Sequence, residues 1–249
     1  MTCVVISQPM YFPWPGILEQ YRLCDTFIYY DDVQFSRGFF NRVQIKTAGG
    51  RRWLTVPLLD WHRGQLIQEV YIDNSQDWKR KQRDQLRQAY AGAPFKADML
   101  DLVDAVFSRN YHTIGELAQE STEALVRYFP PISKDTFMLR SSELSVTGAS
   151  TERLINLCRS LGANQYLTGH GARNYLEHER FEQQGINVSY IDYGVDEYTQ
   201  LHGPFTPYVS SLDLIANCGQ AGIEQINGNL QPWRNFIKQA DQSQVNHEE

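Results

Sequence analysis

The stretch from Val4 to Phe35, VVISQPMYFPWPGILEQYRLCDTFIYYDDVQF, restricts the fold more than any other part of the chain. Val4-Val5-Ile6 is a short apolar run of the kind found in buried strands. Pro9, Pro13 and Pro15 then interrupt regular structure, because proline lacks the donor that a strand or a helix interior needs. From Gly16 to Cys24 the apolar residues Ile17, Leu18, Tyr21 and Leu23 fall close to helical spacing. Thr26–Tyr30 is β-branched and aromatic and ends at Asp31-Asp32. Strand, rigid loop, helix and strand make a βαβ unit. Ligands of such sheets sit outside the carboxyl ends of the strands. Gln8–Trp14 and Asp31–Gln34 are therefore expected to meet at one crevice.

The remainder of the chain continues the alternation. Val43–Lys46 and Trp53–Pro57 read as a hairpin around Ala48-Gly49-Gly50, and Val70–Ile72 as a further short strand. Trp78–Tyr90, Ala97–Phe107 and Thr113–Tyr128 are helical, so about residues 75–130 form a helical insertion. Strands at Thr136–Arg140, Gln165–Leu167 and Val188–Ile191 then alternate with helices at Ser150–Leu161, from His170, and at Ser211–Asn217. The expected fold class is α/β, a Rossmann-like doubly wound and mainly parallel sheet with a helical layer from the middle of the chain. One domain spans residues 1–232, and the polar tail 233–249 is expected to fray.

Composition narrows the function classes. Hydrophobic residues at 42% suffice for a sizeable core, and a net charge of −6 argues against general binding to nucleic acid or a membrane surface. No segment approaches ~18 consecutive apolar residues, so no membrane span is expected. The isolated cysteines 3, 24, 158 and 218 form no CxxC pair, which disfavours structural zinc and fits a reducing cytoplasm.

Several residues have the chemistry and the placement to form a site. Gln8, Tyr11 and Trp14 suit a ligand floor, with the Gln8 amide hydrogen-bonding and Trp14 stacking; the same loop also suits packing under the sheet. Asp31 and Asp32 point opposite ways in extended chain, so one faces the crevice while the other caps a turn or pairs with Arg42. A metal site would need a third ligand, and no recognisable spacing supplies it. Gln34 stands at the same edge. Arg37 and Asn41 precede Arg42 and Lys46, whose even offset puts those two on one strand face, fit for an anion or for solvent. Gly169-His170-Gly171-Ala172-Arg173-Asn174 lies between a strand and a helix, where Gly169 admits a ligand to the backbone, Arg173 adds charge and His170 suits a base or hydrogen-bond donor; the glycines also suit a plain turn. Ser142 follows a strand end; with no Gly-x-Ser-x-Gly elbow it suits substrate binding or a turn. His202, in Leu-His-Gly-Pro-Phe, suits a general base or a turn residue.

Two resemblances add to this reading. The opening unit resembles the first unit of HIGH-superfamily nucleotidyltransferases, with Trp14-Pro15-Gly16-Ile17 where their His-x-Gly-His stands. Both histidines are absent, so the fold carries over rather than the chemistry. QPMYFPWPG, YDDVQFSRGFFNRVQIK, WLTVPL, LRQAY, RSSEL, TERL, YLTGHGARNYL, LHGPF and SSLDLIANCG resemble, in that order, the WbqC-like family across nearly the whole chain. Members of that family are found mostly in bacteria, often beside genes for surface-polysaccharide sugars. The resemblance implies transfer of an acyl or aminoacyl group such as glycine onto an amino sugar. It implies a nucleotide sugar and an activated acyl donor as small-molecule partners and leaves any cofactor unspecified; amide formation needs a base for the amine, for which His202 and His170 are the candidates in this sequence. An ATP-dependent ligase or nucleotidyltransferase, and a non-catalytic ligand-binding protein, are the alternatives.

Overall fold

A computed structural model describes residues 2–133 and 136–245. The first strand, β1 (Cys3–Ser7), lies in the middle of a six-stranded sheet. After it come α1 (Pro15–Leu23) and β2 (Thr26–Tyr29), which pairs parallel to β1 from Val4↔Thr26 to Ser7↔Tyr29. Pro15 opens α1 at a position where a missing N–H costs nothing. The chain then leaves the sheet. It makes the hairpin of β3 (Arg42–Thr47) and β4 (Gly50–Thr55), then the helices α2 (Trp78–Ala89), α3 (Lys96–Phe107) and α4 (Ile114–Tyr128) and the short α5 (Pro130–Ser133). Thr113 caps α4 reciprocally with Glu116.

The sheet resumes with β5 (Phe137–Arg140) beside β2. Helix α6 (Ser150–Ser160) leads to β6 (Gln165–Thr168), which crosses to the other side of β1. After α7 (His178–Gln183) comes β7 (Asn187–Val195), then α8 (Ser211–Cys218), the antiparallel edge strand β8 (Ile226–Pro232) and α9 (Trp233–Val245). The order β5-β2-β1-β6-β7-β8 is that of a Rossmann-like, doubly wound fold with an antiparallel strand added at one edge.

Alternation along the strands builds two cores. Val5, Phe27, Tyr29, Leu167 and Ile191 face α1, α8 and the helices of the middle segment. Val4, Ile6, Ile28, Tyr166 and Val188 face α6 and α7. On the first side the Tyr21 and Phe27 rings stack at 4.0 Å, locking α1 onto β2.

Three local expectations differ from the structure, and one strand, β8, is not among those expected. Val70–Ile72 forms only isolated bridges, Leu58↔Ile72 and Tyr71↔Thr113, because its partners are loop residues. The segment from His170 makes a 3-10 turn over His170–Asn174 before α7 begins. Strand β8 lacks an alternating apolar pattern and takes its place through seven paired residues of β7. The tail expected to fray is helix α9 as far as Val245; residues 246–249 lie outside the described residues. Trp233 stacks on His178 at 4.6 Å and Phe236 on Tyr190 at 4.1 Å, so two aromatics anchor an otherwise polar segment.

His178 makes that anchor sensitive to acid. Its Nε2 lies 2.7 Å from the Tyr190 hydroxyl, and burial holds the imidazole below its ordinary value of 6.5. The unfolded chain then binds a proton where the folded chain does not, so this contribution is present at neutral pH and lost as pH falls below about 6.5. The midpoint of thermal unfolding is expected to drop between about pH 7.5 and pH 5.5, and to drop less in His178→Gln. Equal slopes for parent and variant would place the acid sensitivity elsewhere.

Candidate functional site

Successive strands run outward from β1 to β2 and β5, then restart on its other side at β6 and β7. The direction reverses between β1 and β6, and a crevice of about 540 Å³ opens beyond their carboxyl ends. Ser7 and Gln8 enter it from β1, and Thr168, Gly169 and His170 from β6. Tyr30, Tyr175 and Tyr193 form aromatic walls, and Gln20 of α1 lies beside Tyr193. The Gln20 amide nitrogen donates to the Tyr193 hydroxyl at 2.6 Å, leaving Oε1 buried with no hydrogen-bond partner among the described residues. Burial pushes the Tyr193 hydroxyl up to about 12, so it stays protonated at neutral pH. A Cβ on Gly169 would lie 2.9 Å from that hydroxyl, so glycine is what lets the turn approach β7.

The loop between β1 and α1 is clamped from both sides. Ser121 Oγ of α4 accepts from Phe12 N at 3.0 Å, and Thr122 Oγ1 donates to the Met10 carbonyl at 2.8 Å. Ser210 and Ser211 at the start of α8 donate to the carbonyls of Phe12 and Pro13, each at 2.7 Å. Phe12 is fully buried with φ +39°, a strained backbone angle for a bulky residue. Tyr11 is buried as well and donates to Gln82 Oε1 at 2.8 Å. Of the residues expected to form a ligand floor, Gln8 lines the crevice, whereas Tyr11 belongs to the core. Trp14 lies over Gly16, where a Cβ would meet the indole, and packs edge-on against Tyr193 at 5.3 Å.

Asp31 and Asp32 do not line the crevice; they sit beside it in a shared network. The Ser142 amide and hydroxyl donate to Asp31 at 3.0 and 2.8 Å. Ser141 Oγ lies 3.1 Å from Asp31 Oδ1 and 2.5 Å from Asp32 Oδ1. Arg153 pairs with Asp32, and its guanidinium lies 5.5 Å over the Tyr30 ring. The expected partner Arg42 is not involved, because Arg153 on α6 is nearer. This network positions Tyr30 as a wall of the crevice. Ser142 serves it as an Asp31 donor, and Gln34 is exposed, in a bridge to Leu66.

The expected cation pair separates. Lys46 is buried, and its Nζ donates to Gln200 Oε1 and to the carbonyls of Gly203 and Pro204 at 2.6–3.0 Å. That contact draws the 200–204 loop onto the hairpin, away from the crevice. His202 goes with the loop: its Nε2 donates to the Ala89 carbonyl at 2.7 Å, and it lines a different cavity. The placement of His202 at the crevice edge is thus corrected, while His170 stands there, exposed. Arg173 shares the His170 turn without lining the crevice. Asn41 and Arg42 line another small cavity with Arg37.

The clamped loop, the Gly169–His170 turn and strands β2 to β7 fall within residues 8–225, the span matched by the WbqC-like protein family, with β1 and β8 just outside it. The chain belongs to that family. A Mycobacterium tuberculosis relative, "Uncharacterized protein Rv1507c", is 35% identical over 223 residues, covering 88% of this chain and 95% of its own. No solved structure matches. For this WbqC-like protein the crevice residues that sequence reading missed include Gln20, Tyr30, Tyr166, Thr168, Tyr175 and Tyr193. Gln20 carried a signal, as a polar residue three positions after Ile17 on the apolar face of α1.

Two substitutions on β3 separate a cation with three hydrogen-bond acceptors from one with no ion pair among the described residues. Lys46→Met removes the ammonium donor from the Gly203 and Pro204 carbonyls, leaving Gln200 Oε1 only its bond from Thr206 N, and is expected to destabilise by about 1.5–3 kcal/mol in urea unfolding. Arg42→Gln removes no ion pair among the described residues, only the contact of the guanidinium with the Trp53 ring, and is expected to cost about 0.5–1 kcal/mol. Equal losses in the two variants would contradict this assignment.

Proposed function

We propose that this WbqC-like protein is a transferase that joins an acyl or aminoacyl group to the amine of an amino sugar presented on a nucleotide. The observation that carries the reading is the switch-point crevice, whose described lining combines amides, tyrosines and one exposed histidine and includes no Asp or Glu. Tyrosine walls suit the faces of a sugar or a base. Gln8 and Gln20 suit hydroxyl and amide groups. His170, at the rim, is the base in this reading.

In the transfer, the amine nitrogen attacks the carbonyl carbon of an activated acyl donor. A C–N bond forms, the bond to the leaving group breaks, and the leaving group departs with that electron pair. In this reading His170 takes the proton that the amine loses, and the Gly169–Gly171 turn is the source of donors for the developing oxyanion. His202 has no part in this scheme, since its ring is bonded to Ala89 in another cavity. The strand order also suits ATP-dependent ligation, as in other nucleotide-binding sheets.

The test begins with calorimetric titration of a UDP-linked amino sugar bearing a free amine, against UDP alone. Acyl thioesters and aminoacyl adenylates are then supplied and the sugar is weighed by mass spectrometry. His170→Gln is expected to slow product formation ~100-fold while leaving affinity within about threefold. Absence of both binding and acylated product would overturn the proposal. Exchange of pyrophosphate into ATP in the presence of a free acid would favour the ligase.

A further inference from the structure

Arg37 and Arg42 differ from arginines such as Arg22, Arg83 and Arg153, which hold carboxylates. Neither has an ion pair among the described residues, and the Arg42 Nε is buried without any hydrogen-bond partner. Each is backed by an aromatic face instead. The Arg42 guanidinium lies 4.4 Å from the Trp53 ring centre, and that of Arg37 lies 5.0 Å from the Trp61 ring centre. Stacking fixes the plane of a guanidinium and leaves its N–H edge for a ligand.

Both arginines line a cavity of about 210 Å³ between the loop 36–41 and the end of β4. At ~30 Å³ per water that is room for about seven waters, enough for one oxyanion and a few waters but not for a base and sugar as well. The rim is already built. Asn41 Nδ2 donates to the Val56 carbonyl at 3.3 Å, and Val56 N donates to the Asn41 carbonyl at 2.8 Å. Two uncompensated guanidiniums on a pinned rim are preorganised for a planar or tetrahedral anion.

We propose that this cavity is an oxyanion subsite in which Arg37 and Arg42 together hold a phosphate or carboxylate group. It lies close to the crevice. Val33 lines the crevice and Arg37 the cavity, and four residues of chain span at most about 14 Å. The Tyr11 amide donates to the Phe39 carbonyl at 3.0 Å, tying the same loop next to Met10 of the crevice wall. An extended ligand with its reacting end in the crevice places its anionic end here. This last step rests on the transfer reading; anion binding by the arginine pair does not.

The experiment titrates inorganic pyrophosphate and malonate separately into the parent protein at low ionic strength. Arg37→Gln, Arg42→Gln, Arg42→Lys and Arg51→Gln are compared, with unfolding midpoints confirming that each is folded. Arg51 lies on the same hairpin outside the cavity, so it controls for net charge. The parent is expected to bind at least one probe, and either Arg37→Gln or Arg42→Gln to weaken it about 10- to 150-fold. Arg42→Lys keeps the charge without the fork and should fall between, while Arg51→Gln should match the parent. Tighter binding of pyrophosphate identifies a phosphoryl site, and tighter binding of malonate a carboxylate site. No binding by the parent, equal weakening in Arg51→Gln, or parent-like affinity in both glutamine variants would overturn the subsite. If the arginine pair binds anions but no nucleotide-linked amino sugar binds, the transfer reading fails alone. If that sugar binds and is acylated while the arginine variants change nothing, the subsite fails alone.

Discussion

Everything at the carboxyl edge of the sheet depends on how the loop after β1 is held. Its prolines remove donors, so the loop cannot satisfy itself by forming a helix or a strand. Instead Ser121, Thr122, Ser210 and Ser211 supply side-chain hydroxyls to the backbone of Met10, Phe12 and Pro13. These hydroxyls are buried or nearly so, and they bridge an insertion helix and the last helix before the edge strand. The positive φ at Phe12 persists because those bonds, together with full burial of the ring, over-determine it. The clamp fixes where α1 starts, and with it the positions of Gln20 and Trp14 relative to the β7 tyrosine.

Charge is distributed unevenly around this edge. The carboxylates Asp31 and Asp32 are occupied by serine hydroxyls and by Arg153, outside the crevice lining. Lys46 is occupied by carbonyls. Asp213, buried and raised by desolvation, accepts from the hydroxyls of Tyr90 and Tyr198. Among the described residues five buried side-chain atoms lack a hydrogen-bond partner, and two of them border the two cavities: Gln20 Oε1 beside the crevice and Arg42 Nε beside the smaller cavity; the others are on Trp61, Arg153 and Gln231. In native proteins unmet buried groups are few, and each asks for an explanation.

The fold was legible wherever periodicity and punctuation agreed. Val4–Ile6, the helix after Pro15 and the Asp31-Asp32 terminus define the first unit, and Gly162 and Gly185 mark turns between later elements. Strand β8 was not legible, because an edge strand covered on one side has little need of an apolar pattern, and Asn227, Gly228 and Asn229 disguise it. The site was legible only where the backbone made it: Gln8, Gly169 and His170 follow directly from strand ends. Tyr193 enters from within a strand longer than expected, and Tyr30 from just past one, so their aromatic rings looked like core. The fate of Lys46 and His202 depended on a contact across more than 150 residues, which parity on a strand cannot reveal.

The pairing of β1 with β6 also sets the order of events as the chain is made. Cys3, Val4 and Val5 find their neighbours at Gln165, Tyr166 and Leu167, so the central ladder cannot close until two thirds of the chain has been synthesised. The β1–β2 pairing is local and complete early in synthesis, whereas the equally local β6–β7 pairing comes only with the last third of the chain. Until β6 arrives, β1 is an apolar strand with one side unpaired, open to wrong partners. The crevice lies at that last-closed seam, so it forms only when the sheet is complete, and a truncated or misassembled chain would have no switch point at which to bind anything.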